Sequence, residues 1–219
     1  MTGIKNRFLI AVGAVMAMAL TSCNGIMSGI YDEPEAEVAT GFGFTSAPVG
    51  EVPGTIYVDA SSYTDWVYLD FHTMRAQVVP IGEPEPESWD IALHRYDAKT
   101  NGALVAETGA TGFSSPASLY DVSEDDFSAD VWTEETIITD MSTMMDGYLS
   151  YEPSWYNPVL SKWLDVDKST MPPIYTLSNH VYLLQLADGS QAAVRLDNYM
   201  DSASIKGYLT ISYIYPWHK

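Results

Sequence analysis

Apolar positions along this chain recur with a period of two in short stretches bounded by turn residues, the signature of half-buried strands. Residues 55–58 (Thr-Ile-Tyr-Val) are strand-like. Across 65–71, an extended backbone puts Val67, Leu69 and Phe71 on one face and Trp66, Tyr68 and Asp70 on the other, and the first set makes the better core face. Residues 77–80 predict a further strand, stopped by the Pro/Glu loop 82–87, and 89–96 predict one continuous strand closed by Asn101-Gly102.

The clearest pattern lies in the last third. Residues 181–186 and 191–196, joined by Ala187-Asp188-Gly189-Ser190, predict a hairpin, and 207–215 predict a long terminal strand ended by Pro216. Earlier, small residues and Gly dominate 103–113, Ser123-Glu124-Asp125-Asp126 suits one short helical turn, and 130–139 returns to strand composition. No segment sustains helical periodicity beyond two turns. The expectation is an all-β fold, predominantly antiparallel, built as a sandwich or a pair of twisted sheets with few short helical turns.

The N-terminus reads differently. Lys5 and Arg7 precede a 13-residue apolar run from Phe8 to Leu20, too short to span a bilayer comfortably, and the run ends at Leu20-Thr21-Ser22-Cys23. That order resembles the lipobox of bacterial lipoproteins and implies a signal peptide over 1–22 with Cys23 lipidated. From 23 to 52 a Gly-, Pro- and acid-rich stretch without sustained period reads as a flexible tether, leaving 53–219 as one β domain. Cys23 is the sole cysteine, so no intramolecular disulfide forms and packing must stabilise the domain. A net charge of −19 makes nucleic acid and anionic lipid poor partners.

Candidate chemistry concentrates in 139–175. Asp140-Met141-Ser142-Thr143-Met144-Met145 is followed by Met171 just before Pro172-Pro173, with turn residues on both flanks. Thioethers projecting from loops suit a soft metal or a haem iron, although a methionine is more often a filler of core gaps. Met144 and Met145 are adjacent, so in an extended segment only one can face an iron. The order of preference is Met144, Met145, Met141, with Met171 as the opposing ligand.

Four separated blocks are similar to the HmuY family, haem-binding lipoproteins of Bacteroidetes: Val58-Asp59-Ala60-Ser61 with Tyr63 and Trp66; residues 89–97; Tyr175-Thr176-Leu177-Ser178; and residues 206–216. The resemblance implies an all-β fold, haem (iron protoporphyrin IX) as ligand, and capture at the cell surface for delivery to a TonB-dependent outer-membrane receptor, with host haemoproteins as sources. The founding member of that family holds the iron with two His residues, and here Gly147 and Lys168 lie close to where they fall. The nearby Met144, Met145 and Met171 take over the role by this resemblance. Thioether ligation would favour the ferrous state.

A porphyrin also needs flat walls, for which Tyr148, Trp155 and Tyr156 are candidates, while Trp132 reads as core packing. Lys162 and Lys168 are the nearest cations for propionates. His72, His94, His180 and His218 read as structural or exposed. No Gly-x-Ser-x-Gly elbow, His-Glu-x-x-His or phosphate loop occurs, so an enzyme is not expected. The competing reading, from six Trp and fifteen Tyr, is a surface glycan-binding or adhesion module without haem. An exposed aromatic surface around a haem site could support a homodimer.

Overall fold

The computed structural model describes residues 41–113, 121–170 and 172–218, all within the compact unit Pro34–Lys219. Cys23 and Met171 lie outside the described residues.

Two antiparallel sheets carry the fold. The larger joins β1 (Gly43–Ser46), β2 (Gly54–Asp59), β14 (Lys206–Ile214), β13 (Gln191–Met200), β12 (Tyr182–Gln185) and β7 (Leu104–Glu107), in that spatial order. The smaller has the order β4 (Arg75–Pro80), β3 (Asp65–Asp70), β5 (Ile91–His94) and β6 (Asp97–Thr100). Two hairpins stand apart as separate two-stranded sheets: β8 (Val131–Asp140) with β9 (Ser150–Tyr156), and β10 (Leu164–Asp167) with β11 (Ile174–Leu177). Helical structure among the described residues is confined to three 3-10 turns, Glu124–Asp126, Met144–Asp146 and Leu160–Trp163.

Period-two burial explains why the sheets face each other. Ile56 and Val58 of β2, Leu209, Ile211 and Tyr213 of β14, and Val194 and Leu196 of β13 are buried in one cluster with Val67, Leu69, Phe71, Ile91 and Leu93 of the smaller sheet. The expected inward face of β3 is the observed one. Its other face is covered as well: Trp66 and Tyr68 are buried with Trp89, Ala92 and Ile137, the last brought in by β8. Alternation therefore identifies the face toward the main core but not the second layer over it.

Three expectations are revised. Residues 89–96 are not one strand, because the chain reverses at Arg95-Tyr96 and β5 pairs back onto β6 with His94 opposite Asp97. Arg95 adopts φ +56, a left-handed value that tight turns use and that side-chain patterning does not reveal. Strand β7 runs through the small-residue stretch 103–113, where its partner β12 supplies the bulk. Strand structure also begins at Gly43, inside the stretch read as tether, where β1 pairs with β2 at the edge of the larger sheet.

Candidate functional site

The two outlying hairpins and the β5–β6 turn bound a cleft of about 830 Å³, within the range of small-molecule and cofactor sites. The turn supplies His94, Arg95, Tyr96 and Asp97. The β8–β9 hairpin contributes Glu135, Thr136 and Ile138, then Met141, Met144, Met145 and Leu149 from its connecting loop, then Tyr151 and Tyr156. The rest of the lining is Lys162, Leu164, Asp165, Val166, Lys168, Pro173 and Tyr175, along the β10–β11 hairpin and the turn before it.

The loop after β8 thus brings three methionines to one cavity. Asp140 starts it, its carboxylate accepting from the backbone N–H and hydroxyl of Ser142, and Gly147 ends the 3-10 turn at φ +85, a conformation that favours glycine. Met144 and Met145 stand on this turn rather than on an extended segment, so the opposite-faces rule does not apply, and both line the cleft. They differ in exposure, Met144 at 38% and Met145 at 88%. Lys168 and Pro173, on either side of Met171 in sequence, also line the cleft.

Apart from His94, the aromatic side chains that line the cleft are all tyrosines. Tyr156 lines the cleft, as do Tyr63, Tyr96, Tyr151 and Tyr175, whereas Tyr148 and Trp155 are exposed and are not among the lining residues. Trp132 is half exposed rather than in the core, and meets Trp155 edge to face with ring centroids 5.6 Å apart. Tyr175 is stacked on Tyr199 at 5.5 Å, and the Lys206 ammonium lies 4.2 Å from its ring centre. Tyr96 meets it edge to face at 5.9 Å. Tyr63 and Tyr96 come from distant parts of the sequence, where proximity to the Met-rich segment could not find them, and Tyr175 ends the candidate stretch 139–175 without standing out as a wall residue; all three fall within or beside the blocks that carry the family resemblance.

Charge is organised at the β5–β6 turn. Arg95 donates through Nη1 to the Ser61 carbonyl at 2.5 Å and lies 4.6 Å over the Tyr63 ring. Asp97 keeps part of its surface open to the cleft but is otherwise closely surrounded by protein. That desolvation pushes its carboxyl up to about 7, against the opposing pull of Lys168 and Arg95. Burial also raises the Tyr96 and Tyr156 hydroxyls, with the Asp97 charge adding to both.

His94 is buried, and burial lowers its pKa, keeping the ring neutral. Its Nε2 lies 3.0 Å from the Tyr63 carbonyl, which can only accept, so the proton sits on Nε2 and Nδ1 carries the bare lone pair. Nδ1 has no partner. His72 and His180 are engaged elsewhere, with Tyr215 and Glu107. Among the described residues no group of three or more His, Cys, Asp or Glu forms a metal cage.

A family model, HmuY protein, matches residues 62–213. The chain belongs to the HmuY family. Among solved structures, a protein of Bacteroides vulgatus described as HmuY-like and haem-binding is 50% identical with a TM-score of 0.76, the match covering 82% of this chain and all of that one. A Bacteroides fragilis protein described as a lipoprotein is 46% identical at the same TM-score, covering 84% of this chain and all of its own. The apo HmuY analog of Tannerella forsythia, at 22% identity and a TM-score of 0.62, shares the fold over 74% of this chain and 94% of that one. No curated protein matches. The HmuY match spans β3 to most of β14 and so includes nearly every element that bounds the cleft.

Proposed function

We propose that this chain is a haem-binding protein and that haem sits in the cleft between the β8–β9 and β10–β11 hairpins. The observation that carries the reading is the placement of Met141, Met144 and Met145 in one cavity with five tyrosines and with Lys168 and Pro173, which lie three residues before and two after Met171 in sequence. The description of the B. vulgatus relative as haem-binding supports it. On this reading Met144 and Met171 are the axial pair, with Met145 as the alternative to Met144. Tyr63, Tyr96, Tyr156 and Tyr175 provide the flat apolar contact, and Lys162 and Lys168 meet the propionates. Haem would supply an iron that these methionine thioethers could ligate. This chain's task is to hold it, exclude water and set the redox state it prefers, and two neutral soft donors favour ferrous iron.

Lipidation at Cys23 would hold the domain at the outer membrane facing outward, as the lipoprotein description of the B. fragilis relative supports. From there it would pass haem to an outer-membrane receptor.

The test is a haem titration of the domain followed by absorbance with and without dithionite. A sharp low-spin ferrous spectrum that weakens on oxidation and is lost in both Met144→Ala and Met171→Ala is the expected result. Absence of a saturable spectral change in either redox state would end the haem reading, and retention of the spectrum in both variants would end the methionine assignment.

A further inference from the structure

Methionine usually enters a fold as a filler of core gaps, as Met200 does here, fully buried in the main core. The three methionines at the tip of the β8–β9 hairpin, the arm whose Ile137 is buried against the smaller sheet, are placed differently. Met141, Met144 and Met145 belong to none of the three hydrophobic clusters of the described residues, and no residue of the 3-10 turn Met144–Asp146 is buried. All three nevertheless line one cavity. The haem reading engages one thioether of this loop and leaves two without a role.

The loop that carries them is pinned. Asp140 and Ser150 are register partners at its two ends. Within it, the Tyr148 N–H donates to the Thr143 carbonyl at 3.2 Å and the Thr143 hydroxyl donates to the Tyr148 carbonyl at 3.3 Å. The Met144 N–H donates to the Met141 carbonyl at 3.0 Å, closing a four-residue turn whose end Cα atoms lie within about 7 Å of each other. Met145 follows directly. A methionine side chain turns about three bonds and spans such a gap, so the three sulfurs can converge on one small ion without moving the backbone.

We propose that Met141, Met144 and Met145 form a site for a single soft monovalent cation of the Cu(I) class, bound as the bare ion without a porphyrin. The donor set selects the ion: thioether sulfur is neutral and soft and takes Cu(I), whereas Mg(II), Ca(II) and Mn(II) take carboxylate, carbonyl and water oxygen. The site does not rest on the haem reading. It uses all three loop methionines and not Met171, while the haem reading uses one of them together with Met171.

The experiment titrates silver nitrate, a redox-inert stand-in for Cu(I), in chloride-free buffer into the full chain with isotope-labelled methionine methyl groups. The reference protein carries Cys23→Ser, so that its sole thiol does not compete. Saturation near one equivalent is expected, with movement of the three methyl signals that Met141→Leu, Met144→Leu and Met145→Leu each remove, and zinc should move none of them. Each of these variants should bind silver at least about tenfold more weakly, the cost that loss of an outer-sphere partner alone imposes on a metal site. Met171→Leu, and Met74→Leu in the exposed β3–β4 turn, should match the reference. Leucine keeps the apolar bulk of an exposed side chain, and the signals of the two remaining methionines report whether the loop is intact. Lack of a saturable shift would overturn the proposal. So would equal weakening by Met74→Leu, which would mean scattered binding to sulfur, or loss in Met171→Leu, which would give the ion to the pair named for haem. Haem titration of the same variants keeps the two readings apart, since Met145→Leu should lose silver and keep haem while Met171→Leu should do the reverse.

Discussion

The indole N–H of Trp163 donates to the backbone carbonyl of Tyr96 at 2.8 Å, tying the 3-10 turn Leu160–Trp163 to the two-residue turn that supplies Arg95 and Tyr96 to the cleft. Trp163 is fully buried, so its N–H has no water to fall back on and the bond is part of what fixes that turn. Trp163→Phe removes the donor from a dry site. The expected cost is about 1–3 kcal/mol for the unpaired carbonyl, with lost packing in addition. It would be read as a lower urea midpoint at unchanged slope, and a changed slope would mean that the denatured state had been altered instead.

A second constraint on the same turn comes from Gly207 at the start of β14. It sits at φ +105, and an added Cβ would come within 2.6 Å of both the Ser61 Cα and the Arg95 Nη1. Gly207→Ala therefore combines backbone strain with a clash against backbone that cannot move aside. Gly189, at φ +86 with open space around it, meets strain alone. Thermal unfolding should show Gly207→Ala losing clearly more stability than Gly189→Ala. Equal losses would mean that residues around Ser61 yield to the extra carbon.

Much of this fold is legible in the sequence because strand alternation is a local property. Val67, Leu69 and Phe71 declare a core face, and Ala187-Asp188-Gly189-Ser190 declares a hairpin, without knowledge of any partner strand. What escapes is set by chain reversal and by distance. Arg95 gives no compositional hint of its left-handed backbone, so 89–96 reads as one strand instead of a hairpin. Trp132 looks like a core residue and Trp155 like a porphyrin wall, and neither is, because their exposure depends on which face of the arm meets the smaller sheet. The methionines are visible as a cluster with Tyr175 at the end of the same stretch, but Tyr63 and Tyr96 reach the cavity only through tertiary folding, and only the family blocks point to them.

If haem is held as proposed, the unequal exposure of Met144 and Met145 favours Met144 as the ligand. A ligand must reach inward, and Met145, at 88% exposure, spends most of its surface in solvent while Met144 is the more enclosed. Met145→Ala should leave the ferrous haem spectrum in place, whereas Met144→Ala should abolish its low-spin bands. Met144→His offers an imidazole, which serves both oxidation states, and should restore ferric binding that the thioether disfavours. If Met145→Ala alone removes the low-spin bands, the assignment passes to Met145.

Asp97 makes both stability and haem affinity depend on pH. Its folded pKa, raised to about 7 by burial, lies above the ordinary carboxylate value near 3.8. Between those two values the native state holds a proton that the unfolded state has released, so stability falls as pH rises from about 4 to about 7 and stays reduced above it. Asp97→Asn removes the charge and should flatten this component, stabilising the protein at pH 8 relative to wild type while changing little at pH 4. Haem adds a second effect. Propionates that engage Lys168 withdraw the cation that helps to keep Asp97 ionised, so binding should be accompanied by proton uptake, and affinity should weaken as pH rises through about 7. Titrations across this range, with proton uptake followed in weakly buffered solution, separate the two effects. A wild-type affinity independent of pH, alongside the expected stability profile, would mean that the propionates do not reach Lys168.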